Sequence, residues 1–105
     1  ELTPSIVFDE VDVGISGSVA EIVGQLLKKL SVRYQIICVT HLAQVAAQGK
    51  EHLKVVKTQH SGSTFTQVTA LDQKQRTDEV ARILGGIKIS DKTRMAAEEM
   101  IKASA

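Results

Sequence analysis

Tryptophan is absent from the 105 residues, and aromatics make up only 3% of them, so a stacking platform for single-stranded nucleic acid is not expected. Charge bias is absent too. Thirteen basic against twelve acidic side chains leave a net charge of +1, which excludes a strongly basic nucleic-acid-binding module but leaves room for a local patch. A single cysteine, Cys38, rules out an internal disulfide and suits a reducing compartment; inside an apolar run it reads as a small core side chain. No run of about eighteen apolar residues is present to span a membrane, and no signal-peptide pattern opens the chain. The phosphate-cradling G-x-x-x-x-G-K-[ST] loop is also missing. What is there is a globular balance, 43% hydrophobic and 24% charged, which argues against disorder. The length is that of one domain or part of one. The chain opens at Glu1 just before an apolar run, which suggests a piece of something longer.

The chain is predicted to alternate strand and helix and then to change period. Residues 5–9 read as a short buried strand, with Pro4 just ahead where a strand can begin. Val13-Gly14-Ile15-Ser16-Gly17 reads as a loop. Residues 18–32 carry Val19, Ile22, Val23, Leu26, Leu27 and Leu30 at helical spacing, which predicts an amphipathic helix with those side chains inward and Ser16 or Ser18 as its cap. Residues 34–40 read as a second buried strand, completing a parallel βαβ unit with a right-handed crossover. A short helix is expected over 42–48, ended by Gly49. His52 to Gln59 and Thr64 to Leu71 alternate with period two around His60-Ser61-Gly62-Ser63, the pattern of an antiparallel hairpin. Asp72 is placed to cap a helix over about 74–84 with Val80, Ile83 and Leu84 inward. Ser90 is placed to cap a last helix over 91–103, whose apolar spacing runs through Met95, Ala96, Met100 and Ile101.

Chemistry concentrates at the two strand ends. The first apolar run stops at Asp9-Glu10 and the second at Thr40-His41. Open α/β sheets build their sites at the carboxyl ends of parallel strands. Phosphoryl transfer needs a metal to neutralise phosphate oxygens and a group to orient the attacking water. An acid leaving a strand can hold Mg²⁺ largely through water, and its neighbour can serve as general base. A histidine on the adjacent strand can hydrogen-bond a γ-phosphate oxygen. His52 and His60 flank the hairpin's first strand without a ligand cluster at zinc spacing. Lys28-Lys29 and Lys54 with Lys57 read as solvated faces, and Arg76 and Arg82 as outer positions of their helix, with Glu79 and Arg82 spaced for an i,i+3 pair.

Val7-Phe8-Asp9-Glu10-Val11-Asp12-Val13-Gly14-Ile15-Ser16-Gly17, followed by Cys38-Val39-Thr40-His41-Leu42-Ala43-Gln44-Val45-Ala46-Ala47, resembles the C-terminal part of the RecN family of bacterial DNA repair proteins. These are ABC-type ATPases related to the structural-maintenance-of-chromosomes family. The hairpin with Lys57-Thr58 and Thr64-Phe65-Thr66, the run from Arg76 to Gly86 and the segment from Thr93 to Ala97 resemble it as well. The resemblance implies a partial P-loop NTPase, residues 1–105 forming the C-terminal portion of an ABC ATPase head: an α/β fold with a parallel βαβ core, an antiparallel hairpin and C-terminal helices. It implies ATP and Mg²⁺ as cofactors. Asp9 is then the Walker B aspartate on the metal side, Glu10 the catalytic base and His41 the switch histidine. Val13 to Ser16 become the D-loop, with Ser16 and Gly17 as further cofactor-binding positions; Ser16 stands where many relatives outside the family carry aspartate.

The partners so implied are the N-terminal half of the same head, a second head in an ATP-dependent dimer, and DNA through the full-length protein in the cytoplasm at the nucleoid, with no membrane. The isolated chain, lacking the phosphate-binding loop, is expected to be inactive. Two other readings stay open: a non-catalytic α/β interaction module whose acid pair is structural, and the head of another ABC-type ATPase such as a transporter subunit, against which the string from Val11 to Gly17 argues.

Overall fold

A computed structural model describes residues 4–10, 13–86 and 88–105. Val11 and Asp12, part of the string just quoted, lie outside the described residues. The elements run β1 (Ser5–Asp9), α1 (Gly17–Leu30), β2 (Gln35–Val39), α2 (Ala43–Ala46), β3 (Leu53–His60), β4 (Ser63–Ala70), α3 (Gln73–Gly85) and α4 (Asp91–Ala103). The α/β class is as expected: β1 pairs with β2 in parallel, from Ser5 opposite Gln35 to Asp9 opposite Val39. The hairpin pairs β3 with β4, from Leu53 opposite Ala70 to His60 opposite Ser63. Its loop is only Ser61-Gly62, both at positive φ (48° and 80°), the conformation whose twist matches the flanking strands.

The helix starts follow the expected cap chemistry. Ser16 Oγ accepts from Val19 N at 3.5 Å, and Ser90 Oγ from Thr93 N at 3.1 Å. Asp72 makes a capping box: Asp72 Oδ1 accepts from Gln75 N at 2.8 Å while Asp72 N donates to Gln75 Oε1 at 3.0 Å. Among the described residues no helix is long and apolar enough to cross a membrane.

The core lies elsewhere than expected. It forms among the helices: Ala43 and Ala47 around α2, Val80 and Ala81 of α3, and Ala97 and Ile101 of α4, with Ile83, Ile89 and Met100 packed against it. The two parallel strands are not buried. Side chains of Ile6, Phe8, Ile36 and Cys38 are half-covered, whereas Val7, Ile37 and Val39 on the other face are exposed. A two-stranded sheet needs a layer on each face to bury it, and here one face is bare.

The α1 stripe behaves likewise. Val19, Ile22, Leu26 and Leu30 are exposed, while Ala20 and Gly24 are the buried positions. These two small residues let α1 approach α2 closely; a Cβ on Gly24 would stand 3.1 Å from Gln44 O and 3.4 Å from Val45 Cα. On α4 the inward face is Ala97 and Ile101 rather than Met95, which is 67% exposed, or Ala96, also exposed. Leu84, expected inward, is likewise exposed, whereas Val80 is fully buried.

Two charged side chains of α3 are built into the interior. Arg76, read from the sequence as an outer position, is only 8% exposed. Its Nη2 donates to Ala47 O at 2.9 Å, to Ala46 O at 3.3 Å and to Gly49 O. The length of that side chain lets it cross from α3 to the end of α2, where helix carbonyls lack intrahelical partners. Glu79, 7% exposed, does pair with Arg82 as its spacing suggested, Arg82 Nε donating to Oε1 at 2.8 Å. It also holds Lys54 Nζ at 2.8 Å, so Lys54 belongs to an ion-paired root of the hairpin and not simply to a solvated face. Burial alone would raise the Glu79 pKa, but hydrogen bonds and charge from Arg82 and Lys54 outweigh it and hold the carboxyl below its ordinary value.

Candidate functional site at the strand ends

The in-register parallel pair brings the acid pair and the histidine to one rim. Asp9 is the last residue of β1 and stands opposite Val39, the last of β2. The pairing runs one bond further, Glu10 N donating to Val39 O at 2.9 Å. Glu10 is therefore tied to the strand end that continues into Thr40 and His41. Neighbouring strands lie about 4.8 Å apart, so the two exits are adjacent. Asp9, Glu10 and His41 are all exposed to solvent, and neither carboxylate forms an ion pair among the described residues.

Glu10 leaves the extended conformation at φ 51°. Such a value is uncommon outside glycine, and it occurs at sites where the surrounding structure over-determines the backbone. Val13 N donates to Glu10 O at 3.3 Å. On the other strand, Thr40 Oγ1 accepts from Leu42 N at 3.1 Å. This local bond turns the chain from β2 into α2 and fixes where His41 departs.

The loop residues lead into α1. Ser16 caps α1 and its hydroxyl lies 3.2 Å from that of Ser18. Gly17, the first residue of α1, faces Gln44 of α2: a Cβ there would stand 2.9 Å from Gln44 Nε2. The glycine thus lets the start of α1 sit against the helix that follows His41. Among the described residues no group of three or more His, Cys, Asp or Glu side chains can enclose a metal ion. The exposed Asp9 carboxylate fits Mg²⁺ in the one way a single acid can, with water completing the shell.

The chain is 52% identical over 102 residues to the DNA repair protein RecN of Vibrio cholerae, a match covering 97% of this chain and 18% of that protein. It is 40% identical over 98 residues to the DNA repair protein RecN of Bacillus subtilis, covering 93% of this chain and 17% of that protein. Over its length this chain belongs to the RecN family. It spans less than one fifth of the length of these RecN relatives. A search of protein-family models finds no match. The fold is shared with a solved structure from work on the ATP-driven dimerization and DNA-stimulated activation of SMC ATPases, with a TM-score of 0.65 and 19% identity over 84% of this chain and 52% of that one. That likeness shows a shared α/β fold.

Sequence reasoning missed Arg76 as an interior residue. Its bonds reach residues 27 to 30 positions earlier in the chain, a separation that no local pattern reports.

Proposed function

We propose that this chain is the portion of a RecN-type ATPase head that supplies the Walker B acids and the switch histidine of a composite ATP site, and that the full-length protein hydrolyses ATP in the repair of DNA double-strand breaks. One observation carries the reading: the β1–β2 register and the Glu10 N to Val39 O bond put two carboxylates and an imidazole at adjacent exits of one parallel sheet. The RecN relatives support DNA repair over a transporter head.

Asp9 would hold a Mg²⁺ ion through water, and the metal would supply positive charge to offset that of the phosphate oxygens. Glu10 accepts the proton of the attacking water. His41 donates to a γ-phosphate oxygen and so registers whether it is present. The turn from Val13 to Ser16, with Gly17 behind it, is the segment that reaches toward the second head. The partners are the remainder of the same head, a second head paired through ATP, and DNA engaged by the full-length protein at the nucleoid. The phosphate grip lies outside these residues, so the isolated chain turns over no ATP.

The test is turnover of the full-length protein. Removing a general base typically costs about 10²–10⁴ in rate, so Glu10→Gln is expected to lower kcat by at least about 100-fold while ATP binding persists. Turnover that survives Glu10→Gln removes Glu10 from the mechanism.

A further inference from the structure

The run from Arg76 to Gly86 belongs to the family pattern, yet no step of the proposed reaction uses it. Its most buried cation explains itself once α2 is considered. Four residues make a single helical turn, and isolated turns of that length are not stable, because nucleation fixes several dihedrals for one hydrogen bond. Something outside α2 must hold it. At its start, Leu42 N is tied to Thr40 Oγ1. Ala43 and Ala47 are buried in the core and Val45 is buried beside α1. At its end, three carbonyls, those of Ala46, Ala47 and Gly49, converge on the one Nη2 of Arg76. A guanidinium there supplies a donor to Ala47 O and Gly49 O and a second one to Ala46 O, which also accepts from Gly49 N at 3.2 Å, and places positive charge at the negative end of the peptide dipoles.

His41 is the last residue before this clamped segment, separated from α2 only by Leu42. Its backbone has two supports. One is the β1–β2 ladder, which also carries Asp9 and Glu10. The other is α2, whose far end Arg76 grips from α3. We propose that Arg76 is the positioning residue for His41: by pinning the carbonyls that end α2, it fixes the segment from which the histidine projects toward the γ-phosphate. The inference rests on the switch-histidine reading above. Arg76 is remote in sequence from the acids and does not touch the nucleotide in this scheme.

The test uses the full-length protein and a double-mutant cycle. Arg76→Met keeps the length of the side chain and removes its donors. It is expected to lower kcat about tenfold or more and leave KM for ATP within about threefold, with Arg76→Lys recovering part of the loss through its single donor group. His41→Ala combined with Arg76→Met is expected to be no slower than His41→Ala alone, since a residue acting only through another is silent once that other is gone. In nucleotide-free protein, amides of residues 41–48 should exchange about tenfold faster in Arg76→Met while those of α4 are unchanged. Arg94→Met, which breaks an exposed pair between α4 and Asp78, is the control and leaves kcat within about twofold.

Multiplying losses in the double variant, or unchanged exchange over 41–48, overturns the proposal. If Arg76→Met fails to fold, Arg76→Lys carries the same cycle, and the same multiplication of losses overturns it. If His41→Ala itself leaves turnover intact, the switch-histidine reading falls, and the exchange measurement still decides whether Arg76 holds this segment.

Discussion

His52 shows how a residue without a role in the reaction still fixes a measurable property. It sits at the root of the hairpin, where its backbone carbonyl accepts from Leu71 N at 3.0 Å, and its Nδ1 is buried without a hydrogen-bond partner. Burial, then the Arg76 charge, and less strongly Lys54, lower its pKa from 6.5, against an opposing pull from Glu79. The folded chain therefore refuses a proton that the unfolded chain takes up just below pH 6.5. Stability rises with pH wherever the unfolded state binds more protons, so this histidine's contribution is complete above 6.5 and is lost as pH falls through that value toward its folded pKa. Following the ring protons by NMR should give a His52 midpoint below 6.5, and His52→Gln should flatten the stability profile just below pH 6.5. A midpoint at or above 6.5 would sink this account. Glu79 acts in the same direction at lower pH: its folded pKa is depressed below 4.5, so its contribution holds above 4.5 and is lost as pH falls through the depressed value.

At the scale of elements, caps and periods were readable and coverings were not. Ser16, Ser90 and the Asp72–Gln75 box lie at the helix starts because side-chain acceptors are local to the N–H groups they satisfy. The Ser61-Gly62 turn is legible for the same local reason. So were the strand ends: an apolar run that stops at a carboxylate pair marks where β1 leaves the sheet, although the positive φ of Glu10 left no trace in the pattern. Periodicity, by contrast, identifies an apolar face without saying what covers it. The Val19, Ile22, Leu26 and Leu30 stripe of α1 is such a face, while the real contact with α2 runs through Ala20 and Gly24, residues too small to raise a hydrophobic signal. This contact can be tested. In a free helix Gly→Ala stabilises by about 1 kcal/mol. Here the added Cβ would meet the backbone of α2 at 3.1 and 3.4 Å and Gln48 Cγ at 2.9 Å, and overpacking of this kind costs about 1–3 kcal/mol. Gly24→Ala should therefore destabilise by about 1 kcal/mol in denaturant unfolding; a gain in stability would show that α1 and α2 can separate without cost.

The whole molecule carries more surface than its mass requires. A compact monomer of 11.4 kDa exposes about 5,800 Å², whereas this chain exposes 7,927 Å², an excess of about 2,100 Å². The radius of gyration agrees, at 14.7 Å against about 13 Å for a compact chain of this length. The excess has an address: the bare face of β1 and β2 with Val7, Ile37 and Val39, the α1 stripe, and the hairpin positions Leu53, Val55 and Val68. Exposed apolar faces of this kind mark surfaces that associate. On its own, the chain is therefore expected to self-associate reversibly between micromolar and millimolar concentration, through apolar faces rather than through the rim that carries Glu10 and His41. Small-angle scattering across that range should show the mean mass rising with concentration. Ile22→Glu with Leu26→Glu, both on the uncovered side of α1, should shift the association to higher concentration without loss of helix in circular dichroism. A strictly monomeric mass at the highest concentration would overturn this expectation of association.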